Sequence, residues 1–215
     1  MLRDSYPWTV PCEWPGECVF IIGGGPSVLS QDLNALRGRR VIVINSSVYA
    51  APWADFLFFG DWRWWNEEEN KAAVDSFDGR VVTTTRLVRG DPKVLVCRKT
   101  NPPGLAKARD SLVQKWTSLT AATNLAAHLV GPGGTIVWLG IDGKPAPDGR
   151  AWHHKPHRWP AKPARYDRHR ADLATMAEPL RTIGITLLNA SPGSAYADLW
   201  PVVSLQDMLR ERRAA

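Results

Sequence analysis

The chain has 215 residues, 44% of them apolar and 22% charged, and a formal net charge of +6. This length suits one α/β domain that buries roughly 70% of its unfolded surface, and the apolar content excludes general disorder. No run approaches the roughly 20 apolar residues of a membrane helix, and the stretch from Met1 to Trp8 lacks a secretory apolar region. Cys12, Cys18 and Cys97 are an odd number at no metal-like spacing, so a reducing cytoplasm is the expected setting.

Residues 1–16 carry Pro7, Pro11 and Pro15 and read as an irregular lead-in. Cys18–Ile22 is a β-prone apolar run that breaks into Gly23-Gly24-Gly25-Pro26-Ser27, a buried strand meeting a tight turn at its carboxyl end. Glycines there let backbone N–H groups approach a ligand, and a helix start just beyond favours phosphate. The same turn also serves as a plain strand-to-helix connection. Ser27 and Val28 stand where the dinucleotide fingerprint Gly-x-Gly-x-x-Gly has its third glycine, so an ordinary dehydrogenase is not expected. A helix is predicted at about 30–37.

Val41–Asn45 is a second strand that ends in Asn45 and two serines, and Phe56–Phe59 is a third that runs into Gly60-Asp61. Trp62-Arg63-Trp64-Trp65 follows, then helical composition over 66–76, two shorter strands at 81–85 and 94–97, and a loop over 98–117. Ser118 to Val130 is the clearest helix, capped by Ser118 and stopped by Gly131-Pro-Gly-Gly134. Thr135–Leu139 is a strand running into Gly140-Ile141-Asp142. Residues 143–165, rich in Pro, Lys and His, form a long insertion of the kind that is functional or mobile. A helix over 168–182, a strand over 183–189 and a helix over 205–213 complete the chain. Strands alternating with helices predict one α/β domain over 1–215, a mostly parallel Rossmann-like sheet with helices on both faces. Ligands bind beyond the strand carboxyl ends in such folds, where Gly23–Ser27, Asn45, Asp61 and Asp142 fall.

Residues 151–170 carry six Lys or Arg against the single acid Asp167, +5 of the chain's +6, and four of its five histidines. Such a segment fits a polyanionic partner or a phosphate-bearing substrate, or else a solvated loop. Lys155, Arg158, Lys162, Arg165 and Arg168 are candidates to neutralise a leaving group. Trp62, Arg63, Trp64, Trp152, Lys155, Arg158 and Trp159 are candidate acceptor contacts, because tryptophans stack on bases for about 1–3 kcal/mol each; Trp65 is the one expected in the core. His169, beside Asp167, is the leading general base. His154 rivals it as base, and His153 and His157 as phosphate contacts. No Cys, Asp or Glu completes a four-ligand zinc site within that cluster, so no metal is expected. Asp61 is a further catalytic candidate. Asp142 reads equally as a sugar contact or a turn cap, and Asn124 and His128 as packing.

Six pieces in order, Gly23–Ser27, Val43-Ile-Asn45, Thr117-Ser118, Leu139-Gly-Ile-Asp142, Tyr166-Asp-Arg-His169 and Asn189-Ala-Ser-Pro-Gly-Ser194, resemble the small bacterial sialyltransferases of glycosyltransferase family 42 and related phage-encoded and motility-associated proteins. The resemblance spans about 18–201. It implies a modified nucleotide-binding α/β fold of GT-A-like type and metal-independent, inverting transfer. Gly23, Gly24, Gly25, Pro26 and Ser27 would then hold the nucleotide, Asn45 would contact it, Thr117 and Ser118 would meet the donor phosphate or sugar, and His169 would be the base. Gly24 stands where the family has asparagine, Gly60-Asp61 replaces a second asparagine, and Trp152 or His153 takes the place of the family's tyrosines. A nucleotide sugar other than cytidine-linked sialic acid is therefore the expected donor.

The function expected is sugar transfer from a nucleotide sugar, with no separate cofactor, to a hydroxymethylated base in phage DNA, without stable membrane association. The basic segment and the Trp/Arg cluster favour DNA over a lipid-linked or cell-surface glycan. The alternatives are a glycan-directed sialyltransferase-like enzyme, an ATP-dependent pterin pyrophosphokinase-like enzyme, and a non-catalytic DNA-binding module.

Overall fold

The computed structural model describes residues 6–88, 90–156 and 164–214, the side chains of 211–214 excepted. The central sheet has seven strands: β1 (Cys18–Ile22), β2 (Arg40–Ile44), β3 (Phe56–Phe59), β4 (Arg80–Thr83), β5 (Val94–Val96), β8 (Thr135–Leu139) and β9 (Thr186–Asn189). Their spatial order is β5-β4-β3-β2-β1-β8-β9, and every pairing is parallel. The strands at its centre are continuous apolar runs because helices cover both faces. Phe20, Ile22, Val43, Leu57, Val137 and Leu139 pack on one face; Ile21, Ile42, Phe58, Ile136 and Trp138 pack on the other, as the two-residue strand period requires.

The chain builds β1 to β5 outward in one direction, then returns to the far side of β1 for β8 and β9. This leaves a topological switch point between β1 and β8, where ligands bind in open α/β sheets. Ile22 lies opposite Leu139, so the two strands end together and Gly23 faces Gly140.

Helix α3 (Ser118–Val130) lies against β1, β2 and β8 and is buried on every residue but the first. Asn124 and His128 are packing residues, as expected. Asn124 Oδ1 accepts from the backbone N of Ala106 (2.8 Å) and of Val113 (3.2 Å), and the His128 ring meets the Ser111 carbonyl at 3.3 Å. These bonds organise the segment read as a loop. It contains a small parallel pair, β6 (Arg98–Thr100) and β7 (Ser111–Val113).

Two helices differ from expectation. The helix expected at about 30–37 is two 3-10 turns, Pro26–Ser30 and Leu33–Leu36; Asp32 accepts from Asn34 N at 3.0 Å and starts the second turn instead of continuing the first. The helix expected over 168–182 is α4 (Arg165–Ala174) and α5 (Ala177–Thr182). Pro179 has no N–H for the Thr175 carbonyl, so the ladder breaks there. Short α1 (Trp62–Trp65), α2 (Glu68–Ser76) and α6 (Leu205–Ala214) complete the helices. Among the described residues, no helix is long and apolar enough to cross a membrane.

Candidate active site at the sheet switch point

A cleft of about 360 Å³ opens over the carboxyl ends of β1, β2, β3 and β8. Its floor is the glycine turn. Gly23 N donates to the Leu139 carbonyl and Gly25 N to the Gly140 carbonyl, both at 2.8 Å. A Cβ on Gly25 would stand 2.5 Å from the Gly140 oxygen and 2.7 Å from Asp142 Cγ, so the two strand ends can approach only because glycine is there. At Gly24 a Cβ would press on His154 Nε2 at 3.2 Å and Trp152 Cδ1 at 3.3 Å. Glycine at this position thus admits two side chains of the insertion.

Asp142 lines the cleft but is committed. It accepts from Ser27 N at 2.8 Å and from Ser27 Oγ, the turn-capping role that composition allowed. Burial pushes its carboxyl above the ordinary range against the pull of the Ser27 bonds. Pro26 and Ser27 belong to this brace and do not line the cleft.

Asn45, at the end of β2, is held at φ +51°, a left-handed conformation that asparagine tolerates better than most residues. Its Oδ1 is buried without a hydrogen-bond partner, and the residue lines the cleft. An unpaired buried acceptor in a strained backbone marks a position shaped for something other than stability. We expect Asn45→Gly to keep or raise the melting temperature while weakening a ligand bonded to Asn45 Oδ1 in the cleft about 2–10-fold, the loss of one hydrogen bond. Calorimetric titration checks this, and unchanged affinity would place Asn45 outside the ligand's reach.

The amino end of α3 faces the same space. Thr117, rather than Ser118, is the cap: its side chain accepts from Leu119 N at 3.1 Å. Thr117, Ser118 and Leu119 all line the cleft, presenting the positive end of a 13-residue helix. Lys144 and Arg165 add charge nearby, and the Arg165 Nε is buried without a partner.

His154 and His169 both line the cleft. Burial, with Arg165 adding to it, lowers His169 to about 4, against a hydrogen bond to the Trp116 backbone that pulls the other way. Its imidazole is therefore neutral at pH 7. His154 Nδ1 donates to the Lys155 carbonyl at 2.9 Å, which makes Nε2 the acceptor nitrogen; burial lowers this histidine too. His153 is corrected. It does not line the cleft; its ring Nε2 lies 3.1 Å from Ser47 Oγ and its backbone N donates to the Gly24 carbonyl at 3.0 Å. It clasps the insertion onto the strand ends, and burial, with neighbouring His154, lowers it to about 4.

The depressed imidazoles of His153 and His169 make folding pH-dependent. The unfolded chain takes up a proton on each near pH 6.5, the folded chain only near 4. Their contribution is thus complete above about pH 6.5 and lost as pH falls through 4. We expect His153→Gln to flatten the fall in denaturant midpoint over that interval; an unaltered pH profile would contradict the burial of this ring.

Several other expected contacts stand elsewhere. Trp64 is 1% exposed, with its Nε1 donating to Ser46 Oγ at 2.9 Å. It is core together with Trp65, both packed against Phe59, and offers no face for stacking. Asp61 caps α1 through Arg63 N and holds the Arg63 guanidinium with both oxygens, so it is not poised as a base. Both residues still line the cleft. Trp62 is exposed outside it, and Lys155 pairs with Glu69 at 3.5 Å on the surface. His157, Arg158, Trp159 and Lys162 lie outside the described residues. No group of three or more His, Cys, Asp or Glu gathers as a metal site among the described residues.

Two aromatic residues at the cleft were not singled out from sequence, Trp116 and Tyr196; Tyr166, from the Tyr166-Asp-Arg-His169 piece, joins them there. Tyr196 Oη donates to the Tyr166 carbonyl at 3.2 Å, and burial pushes it up to about 12. No family model, no curated protein and no solved structure matches the chain.

Proposed function

We propose that this protein is a metal-independent, inverting glycosyltransferase that moves a sugar from a nucleotide sugar to a hydroxyl, with a hydroxymethylated base in DNA as acceptor. The observation that carries the reading is the convergence, in one cleft at the switch point, of a helix amino end, an unpaired Asn45 acceptor and a neutral His169. Asn45 and the glycine turn receive the nucleotide, with His154 beside them. The donor phosphate sits at Thr117 and Ser118, with Lys144 and Arg165 opposing its charge.

In the reaction the acceptor O–H proton passes to His169 and the hydroxyl oxygen attacks the anomeric carbon. The bond from that carbon to the phosphate oxygen breaks, and the phosphate leaves with the electron pair. Fixed donors aimed at the developing charge lower the barrier because they need no reorganisation. His169 rather than His154 takes the proton: His154 Nε2 faces the glycine turn, whereas His169 stands beside Trp116 at the α3 cap. The proposed setting is the cytoplasm, which suits three free cysteines.

Incubating the protein with hydroxymethylcytosine-containing DNA and mixed nucleotide sugars, then weighing the nucleosides, tests the whole reading. A nucleoside heavier by one glycosyl residue is expected. Unchanged masses with a protein that binds a donor would exclude this acceptor.

A further inference from the structure

Helix α4 places Arg165, Arg168, His169 and Asp172 on neighbouring positions of one face, three, four and seven residues apart. The Arg165 guanidinium lies 4.8 Å from the Trp152 ring centroid, and the Arg168 guanidinium lies 4.4 Å from that of Trp116. Lys115 Nζ stands 5.7 Å from the Trp116 ring. His169 therefore follows two indole–guanidinium stacks along the helix, at the edge of a cleft that both tryptophans line.

Trp116 is 47% exposed, yet it is not loosely held. Its backbone N donates to Asp172 Oδ2 at 2.9 Å, and Asp172 is itself buried. Arg168 rests on the ring, a contact that orders the indole before any ligand arrives. An exposed, oriented indole with cations alongside offers a flat apolar face for a base and donors for flanking phosphates. An acidic peptide would use the cations and leave the indole idle.

We propose that the mouth of the cleft is a binding site for single-stranded or locally unstacked DNA, with Trp116 as the stacking platform and Arg168 and Lys115 as the phosphate contacts. This rests on the reading that His169 serves a hydroxyl on DNA, and it names the form in which that DNA is taken. A cleft of about 360 Å³ that also seats the donor has no room for a duplex. The acceptor base must therefore leave its helix, and the base beside it is free to stack on Trp116 in a sequence-tolerant way.

The test is fluorescence anisotropy with a labelled oligo-dT of about 12 nucleotides and a matched duplex, using the full chain with no donor present. The single strand is expected to bind more tightly than the duplex. Trp116→Ala should weaken it by about 5–150-fold without altering the dependence on salt, and Trp116→Phe should restore most of the loss. Arg168→Ala should lower the slope of log K against log salt by about 0.7. Circular dichroism and melting verify that each variant is folded. Duplex bound as tightly as single strand, or Trp116→Ala bound like wild type, would overturn the proposal. So would equal capture of polyglutamate that is sensitive to Arg168→Ala alone. Tight single-strand binding through Trp116 in a protein that binds no nucleotide sugar would instead remove the donor reading and leave this one standing.

Discussion

Replacing His169 with alanine is expected to lower kcat by about 10²–10⁴-fold, the usual cost of losing a positioned general base, while donor affinity stays unchanged. The expectation comes from where the imidazole stands. It lines the cleft beside the α3 cap, and burial keeps it neutral down to about pH 4. A residue that served only to pack α4 would lower melting temperature and kcat together; the base lowers kcat alone. The pH profile separates the two further. In wild type the acid limb of kcat/KM should fall near pH 4, and in His169→Ala it should vanish along with most of the rate. His154→Ala is the comparison: with its Nε2 against Gly24, it should raise the donor Kd rather than lower kcat. Equal losses of kcat in the two variants, or a full rate without His169, would contradict the division of roles.

Gly25→Ala is expected to remove donor binding and to cost several degrees of melting temperature. The new methyl would meet the Gly140 carbonyl at 2.5 Å and the Asp142 carboxyl at 2.7 Å. The first is backbone, and the Asp142 side chain is tied to Ser27 through both backbone and hydroxyl. Relief requires the β1 and β8 ends to separate, which breaks the Gly25 N bond to Gly140 and moves Asp142 off Ser27. Overpacking of this kind costs on the order of 1–3 kcal/mol, or about 2–10 °C in a chain of this size. Gly38→Ala is the control for glycine-to-alanine change as such, since nothing lies within 4 Å of a Cβ there and only its positive φ is strained. A Gly25→Ala protein that melts and binds as wild type would mean that the two strand ends are not closed on each other.

The parallel sheet was readable because its central strands are uninterrupted apolar runs, and such runs leave little choice of element. The gathering of Gly23–Gly25, Asn45, Asp61 and Asp142 at one rim followed from that, since each residue ends a strand. What composition could not separate was one tryptophan from another. Trp62-Arg63-Trp64-Trp65 and Lys115-Trp116 look alike as aromatic–basic clusters. The short helix α1 turns Trp64 and Trp65 onto Phe59, whereas Trp116 is held at the surface by Asp172, 56 residues away. A contact at that separation leaves no periodic trace.

His153 and His154 are neighbours with the same side chain, yet one clasps Ser47 and the other enters the cleft; residues 143–156 form no helix or strand, so no period tells the two apart. Tyr196 escaped notice for a related reason. It comes from the stretch after β9, and only the fold brings it to Tyr166 on α4.

The most direct test of the central claim is a thermal melt of the whole protein against a panel of cytidine-, uridine- and guanosine-linked sugars, with ATP and magnesium as a separate arm. At one hundred times its Kd a true donor stabilises by about 2.7 kcal/mol, so one nucleotide sugar should raise the melting temperature by about 5–10 °C. A panel in which no nucleotide sugar shifts the transition, or in which only ATP with magnesium does, would contradict the account.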